Sequence, residues 1–146
     1  AATRLSASFY PEQVAHFEET FFAALDGLHD RVEAAVDAFR YDNDGWKCFR
    51  AITGEYDRFL TFTSYLLGHL NGLGGEVDLA PKFKEFLQSG NWLAKYIIGL
   101  DKTLEKIWNK YGEWKSFEEF NGTGELVLLL AATDGVHLTA DGLSIY

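Results

Sequence analysis

The sequence predicts an all-α protein, an antiparallel helical bundle of three long helices plus two or three short ones. Three stretches of the chain carry apolar residues at alternating spacings of three and four, which is the pattern of one helix face. Only 2 of the 146 residues are proline, and 47% are hydrophobic, so long helices around one core are feasible.

The first long helix is predicted from Pro11 to Phe39. Proline is favoured in the first turn of a helix, and Phe17, Phe21, Leu25 and Leu28 begin the apolar stripe. We expect residues 1–10 to form a flexible N-terminal segment and residues 11–146 to form a single helical domain. The first eight residues contain one Arg, two Ser and no acidic residue, which is typical of the end of an organellar transit peptide.

The second long helix is predicted from about Trp46 to Leu70, with Asp44 or Asn43 as its N-cap. Gly54 inside it indicates close packing, since glycine is otherwise unfavourable in a helix. A short helix opens at Asp78 and Pro81, and Ser89-Gly90-Asn91 ends it.

The third long helix is predicted from Trp92 to Tyr111. One of its faces is basic, and the first helix has an acidic face, so the two faces are predicted to be neighbours. The basic face consists of Lys95, Lys102, Lys106 and Lys110, and the acidic face of Asp26, Asp30, Glu33 and Asp37. Ser116 to Glu119 is a capping-box pattern, and residues 125–133 are predicted as either helix or strand.

Composition excludes several classes of function. A net charge of −9 argues against nucleic acid as a partner, because phosphate binding needs a basic surface. No apolar run reaches the roughly 18–20 residues of a membrane span. One cysteine and four scattered histidines do not supply a metal site, and the sequence predicts no metal and no cofactor.

Two short segments resemble known families. Asp134-Gly135-Val136-His137 resembles the C-terminal block of SGNH (GDSL-type) hydrolases, which implies that Asp134 orients His137 and that His137 activates a serine. The Gly-Asp-Ser turn of those enzymes is missing. The spacing of Trp108, Gly112, Trp114 and Phe117 resembles a motif of the helical cell-death regulators of the B-cell-lymphoma family, which implies an all-helical fold.

Because no complete catalytic pattern is present, we expect a non-catalytic accessory or scaffold subunit of a larger, organellar complex, mitochondrial rather than plastid. Its partners would be other protein subunits, and the interface is predicted at Trp108, Trp114, Lys102, Lys106 and Lys110. One alternative is a soluble carrier of an apolar ligand or pigment, and another is an SGNH-like hydrolase that uses Asp134 and His137. The carrier's cavity would be walled by Phe59, Phe62, Tyr65, Trp92 and Tyr96.

Overall fold

The computed structural model describes residues 1–146 and is mostly helical, which confirms the all-α prediction at this level. The antiparallel bundle arrangement stays a prediction. The helices are α1 (Ala2–Ser6), α2 (Val14–Leu25), α3 (Leu28–Asp42), α4 (Gly45–Gly72), α5 (Pro81–Gln88), α6 (Ala94–Asn109) and α7 (Asn121–Thr133). Two strands follow, β1 (Val136–Thr139) and β2 (Gly142–Ile145).

Helix α4 is the centre of the fold and packs against α1, α2, α3, α6 and α7. Its start is capped as predicted, since the Asp44 carboxylate accepts the backbone N–H of Lys47 at 2.9 Å. The Lys47 ammonium donates to Asp42 at 2.6 Å. This hydrogen bond, followed by one from the Asp44 N–H, holds the pKa of Asp42 below its usual value.

The helix predicted from Pro11 to Phe39 is divided in two by Gly27, which adopts a left-handed conformation with φ of 66°. The apolar spacing continues across this break, which is why periodicity did not reveal it. Arg31 fixes the corner, because its guanidinium donates to the carbonyl oxygens of Ala24 and Asp26. The same guanidinium donates to Glu55 of α4 at 2.6 Å.

The core is a cluster of 20 buried residues that extends from Val14 to Val136. Its centre is aromatic, and the ring of Phe21 meets that of Phe83 edge-on at 4.9 Å. Cys48 lies in this cluster, and burial raises the pKa of its thiol, so it packs as a small neutral side chain. His69 is also buried, against Phe17, and neither ring nitrogen has a hydrogen-bond partner.

The first ten residues differ from the flexible segment that we expected. Helix α1 packs against α4, and Ala7 is fully buried. Two glycines of α4, Gly68 and Gly72, leave room for this contact, since a Cβ on either one would overlap Thr3 or Arg4. The close packing that was predicted at Gly54 is not present, because nothing lies within 4 Å of a Cβ placed there.

The predicted contact between the acidic and basic faces is not present. Helix α3 packs on α4, whereas α6 packs on α4, α5 and α7. No ion pair joins an acidic residue of the first face to a lysine of the second. Both faces are therefore left largely to solvent.

The structure shows which of the two predicted conformations residues 125–133 adopt. Residues 125–133 belong to α7, and β1 and β2 then form an antiparallel hairpin with Val136 opposite Ile145. Gly135 has a φ of 79° and allows the end of the chain to close, because a Cβ there would overlap the carbonyl of Tyr146. No helix in the chain combines the length and apolar content that crossing a bilayer would require.

Candidate protein-interaction surface

Aromatic side chains form a continuous series where α6 ends. The rings of Trp108 and Tyr111 stack at 5.0 Å, Tyr111 meets Trp114 at 5.3 Å, and Trp114 meets Phe120 at 5.3 Å. The Trp114 indole N–H donates to the carbonyl of Ile107 at 2.9 Å and so satisfies one of the last carbonyls of the helix. We call Trp108, Tyr111, Trp114, Phe117 and Phe120 the aromatic corner.

One side of the aromatic corner contacts α1, and the other side faces solvent. The Arg4 guanidinium of α1 lies 4.3 Å from the ring centroid of Trp108, a cation–π contact that holds this ring in place. In contrast, Tyr111 is 50% exposed and Phe117 is 92% exposed. Tyr111, which contacts two tryptophan rings and still faces solvent, resembles the anchoring residues of protein interfaces.

Glu119 joins the end of α6 to the start of α7. Its carboxylate accepts the backbone N–H of Lys115 at 2.8 Å and lies 3.2 Å from the Lys110 ammonium. The Lys115 N–H, and secondly the Lys110 ammonium, hold the pKa of Glu119 below its usual value. Lys110 is therefore paired within the chain, although its side chain is still 64% exposed.

Lys102 and Lys106 lie along a groove of about 410 Å³ between α6 and α7. Neither lysine forms an ion pair. The floor of the groove includes Gly99 and Leu126, and its edge includes Leu129, which is 56% exposed. The groove thus combines apolar surface with two free ammonium groups, while Glu125 supplies an opposing charge.

Lys102 and Lys106 lie on one side of α6, whereas Trp108, two positions after Lys106, projects from a different side and contacts Arg4 of α1. Two contacts connect the groove with residues beyond it. Glu119 lines the groove and also pairs with Lys110, while Ile107 lines the groove and also accepts from Trp114. Tyr111, Phe117, Phe120 and Leu129 were not predicted as interface residues, and the place of Leu129 depends on how α7 packs against α6. We call Trp108, Tyr111, Trp114, Phe117 and Phe120 together with Lys102, Lys106, Lys110 and Leu129 the α6–α7 surface.

The catalytic pair implied by the SGNH resemblance does not form. The Asp134 carboxylate accepts the hydroxyl of Tyr56 at 2.6 Å, and no hydrogen bond joins it to His137. The His137 ring instead stacks on Tyr146, with centroids 4.5 Å apart and planes 9° apart. Ser144 is the cross-strand neighbour of His137, but no hydrogen bond connects their side chains. This geometry leaves His137 without the carboxylate that would orient it.

The residues proposed as the wall of a carrier cavity are dispersed. Phe59 is fully buried in the core, whereas Tyr65 and Trp92 are exposed by 42% and 48%. The ring of Phe62 packs against Tyr65, and separately the ring of Trp92 packs against Tyr96. These five side chains do not enclose a common space.

Comparison of the chain with models of protein families, with curated protein sequences and with solved structures finds no match. Function is therefore inferred from the chain's own surfaces and contacts.

Proposed function

We propose that this chain is a non-catalytic helical accessory or scaffold subunit that binds another protein through the α6–α7 surface. The observation that supports the proposal most strongly is the aromatic corner. It presents a half-exposed tyrosine, Tyr111, whose ring contacts both Trp108 and Trp114, and a nearly fully exposed phenylalanine, Phe117. Single exposed aromatic residues are common, but several that adjoin one another are typical of a protein-interaction site.

The lysines of the α6–α7 surface indicate the chemistry of the partner. The chain as a whole has a net charge of −9, yet Lys102 and Lys106 lie on this surface without an ion pair. We propose that the partner presents an apolar segment flanked by acidic residues. Such a segment would place apolar side chains against Leu129 and Phe117 and carboxylates near the two ammonium groups, which favours association and orientation.

Nucleic acid fits this surface less well. Glu113, Glu118 and Glu125 are exposed in the same part of the chain, and Glu125 lines the groove with Lys102 and Lys106. A continuous phosphate backbone would meet these carboxylates as well as the ammonium groups, and binding would require the lysines to outnumber them. A partner with a few discrete acidic side chains avoids this repulsion.

An organellar location, mitochondrial rather than plastid, is part of the proposal. It is supported only by the composition of residues 1–8.

Site-specific photo-crosslinking tests the proposal. A photoreactive phenylalanine analogue replaces Phe117, and in a matched control it replaces Tyr41, which is 95% exposed and lies at the end of α3. In the natural source, we expect position 117 to give one defined crosslinked protein and position 41 to give none. The crosslinked peptide of that partner should be apolar and flanked by acidic residues. Identical products from both positions, or no product from position 117, would contradict the proposal.

A further inference from the structure

The groove between α6 and α7 adjoins a second cavity, of about 390 Å³, between α7 and β1. Glu125 and Leu129 line both spaces, so the two follow one another along α7. The second cavity is mainly apolar, since Leu128, Ala132 and Leu138 also line it. The α6–α7 surface therefore extends toward the C-terminal hairpin.

The edge of β1, rather than one of its faces, borders this second cavity. His137, Leu138 and Thr139 all line it, although the side chains of consecutive strand residues point to opposite faces. No residue of β2 lines the cavity, because β2 lies beside α4, where Ile145 is 3.5 Å from a Cβ placed on Gly45. The sheet has only these two strands, so the outer edge of β1 is left facing the cavity.

The backbone of Leu138 is unpaired at this edge. The N–H of Tyr146 donates to the carbonyl of Gly135 at 3.0 Å, which makes these two residues a hydrogen-bonded pair of the ladder. Such pairs alternate with pairs that form no hydrogen bond, and Leu138 and Leu143 are a pair of the second kind. The N–H and C=O of Leu138 therefore point away from β2, and no backbone group of another element bonds to them.

The side chain of Leu138 is uncovered as well. It lies on the same face of the hairpin as Val136, which is 1% exposed, yet Leu138 is 42% exposed. Leu129, which also lines the cavity, is 56% exposed. β1 carries neither a lysine nor a proline, the residues with which proteins commonly protect a free edge. An open strand edge beside apolar side chains is the arrangement that accepts a further strand.

We propose that an extended segment of the partner protein adds to the free edge of β1 as a third strand, with its apolar side chains against Leu138 and Leu129. The inference rests on the proposed function, because the same segment would place its acidic residues near Lys102 and Lys106 in the adjoining groove. Residues 122–132 of α7 follow both spaces and advance by about 15 Å, which about four or five extended residues span. One short segment is therefore long enough to occupy both.

Photo-crosslinking from position 138 in the natural source tests whether the partner reaches β1. A photoreactive phenylalanine analogue replaces Leu138, while the same substitution at Phe117 reports on the proposed function and that at Tyr41 is the exposed control. We expect positions 138 and 117 to give the same crosslinked protein and position 41 to give none. A crosslink at position 117 with none at position 138 would overturn this inference alone, whereas no crosslink at either position would refute the proposed function too.

Amide hydrogen exchange distinguishes strand addition from a contact between side chains. In the assembly purified from the natural source, the Leu138 N–H should exchange about tenfold more slowly than in the free chain, because it donates to the added strand. The N–H of Asp141, at the exposed tip of the hairpin, should exchange at the same rate in both. Equal exchange of the Leu138 N–H in the assembly and in the free chain would contradict strand addition.

A proline at position 138 removes the same donor. Leu138→Pro lacks the N–H but is compatible with the hairpin, because this N–H takes no part in the pairing with β2. Leu138→Val, which keeps the N–H and an apolar side chain, is the matched control. We expect the yield of the crosslink from position 117 to fall about tenfold in Leu138→Pro and to stay near the wild-type value in Leu138→Val.

Thermal unfolding shows whether both variants are folded. Equal crosslink yields from the two folded variants would mean that the partner does not pair with β1. If Leu138→Pro does not fold, the exchange rate of the Leu138 N–H in the wild-type assembly decides the question.

Discussion

At the scale of single residues, the longest-range polar contact joins Tyr56 of α4 to Asp134, immediately after α7. The Tyr56 hydroxyl donates to Oδ2 of Asp134 at 2.6 Å, across 78 positions of sequence. Burial, and secondly the hydrogen bond to Asp134, raises the pKa of Tyr56 well above its usual value. The contact therefore ties the C-terminal part of the chain to the central helix only while Tyr56 keeps its proton.

We expect Tyr56→Phe to lower the free energy of unfolding by about 1–3 kcal/mol at neutral pH, because Asp134 loses a partner in a partly buried place. Since folding raises the pKa of Tyr56, its contribution is fully present below pH ~10, the ordinary tyrosine value. This contribution to the free energy of unfolding is lost as the pH rises from about 10 toward the higher pKa that Tyr56 has in the folded state. The difference between wild type and variant should therefore shrink above pH ~10.

Urea unfolding at neutral pH and at alkaline pH measures this difference. Tyr41→Phe serves as the control, because Tyr41 is 95% exposed and has no hydrogen bond to lose. A difference for Tyr56→Phe that stays constant across this pH range would show that the hydrogen bond to Asp134 is not the source of the stability.

Residue roles could be predicted from sequence where they depend on near neighbours. Asp44 caps α4 as expected, and Gly90, which was predicted to help end the short helix, has a left-handed conformation with φ of 76°. In contrast, Glu18 accepts from Phe83 across 65 positions, and no local pattern marks such a pair. The local pattern around Asp134 led to a wrong prediction of its partner, because its carboxylate accepts a hydrogen bond from Tyr56 and not from His137.

At the scale of elements, the position of α1 depends on two glycines of α4. A Cβ on Gly72 would overlap the Arg4 carbonyl and Ala7, so the short helix lies directly against the backbone of the long one. This contact also places Arg4 over Trp108 and so links α1 to the aromatic corner.

We expect Gly72→Ala to lower the free energy of unfolding by at least about 1 kcal/mol, because the new methyl group has no room unless α1 moves away. Gly54→Ala in the same helix is the matched control. Nothing lies within 4 Å of its Cβ, so it should raise the free energy of unfolding by about 1 kcal/mol.

Chemical denaturation measures both variants, and the rate of trypsin cleavage after Arg4 reports on α1 directly. Cleavage should be faster in Gly72→Ala and unchanged in Gly54→Ala. If both substitutions raised the free energy of unfolding equally, α1 would not pack against Gly72.

Element boundaries could be predicted where the chain carries a strong local signal. Asp44, Pro81 and Gly90 each mark a boundary that the structure shows within a few residues. The break at Gly27 was missed because the apolar spacing runs through it, and the corner is held by Glu55 from another helix. The hairpin was missed because four-residue strands are too short to establish an alternating pattern.

At the scale of the whole molecule, the placement of charge explains why the α6–α7 surface is open. The basic face of α6 was predicted to meet the acidic face of the first helix, which would have neutralised both. The structure instead packs α6 on α4, α5 and α7, so Lys102 and Lys106 keep free ammonium groups. The sequence could indicate the tryptophans and lysines, since they fall within residues 102–114, but not the groove that α7 completes.

Native mass spectrometry of the protein isolated from its natural source measures whether the chain is bound to a partner through this surface. We expect the wild-type chain in an assembly heavier than the chain alone, whose mass the denatured sample gives. The double variant Lys102→Glu/Lys106→Glu should be found as the free chain, because reversed charge repels an acidic partner. Arg50→Glu/Lys82→Glu, at exposed positions without ion pairs, should remain in the assembly. A wild-type chain that is monomeric, or a Lys102→Glu/Lys106→Glu chain that stays assembled, would contradict the account.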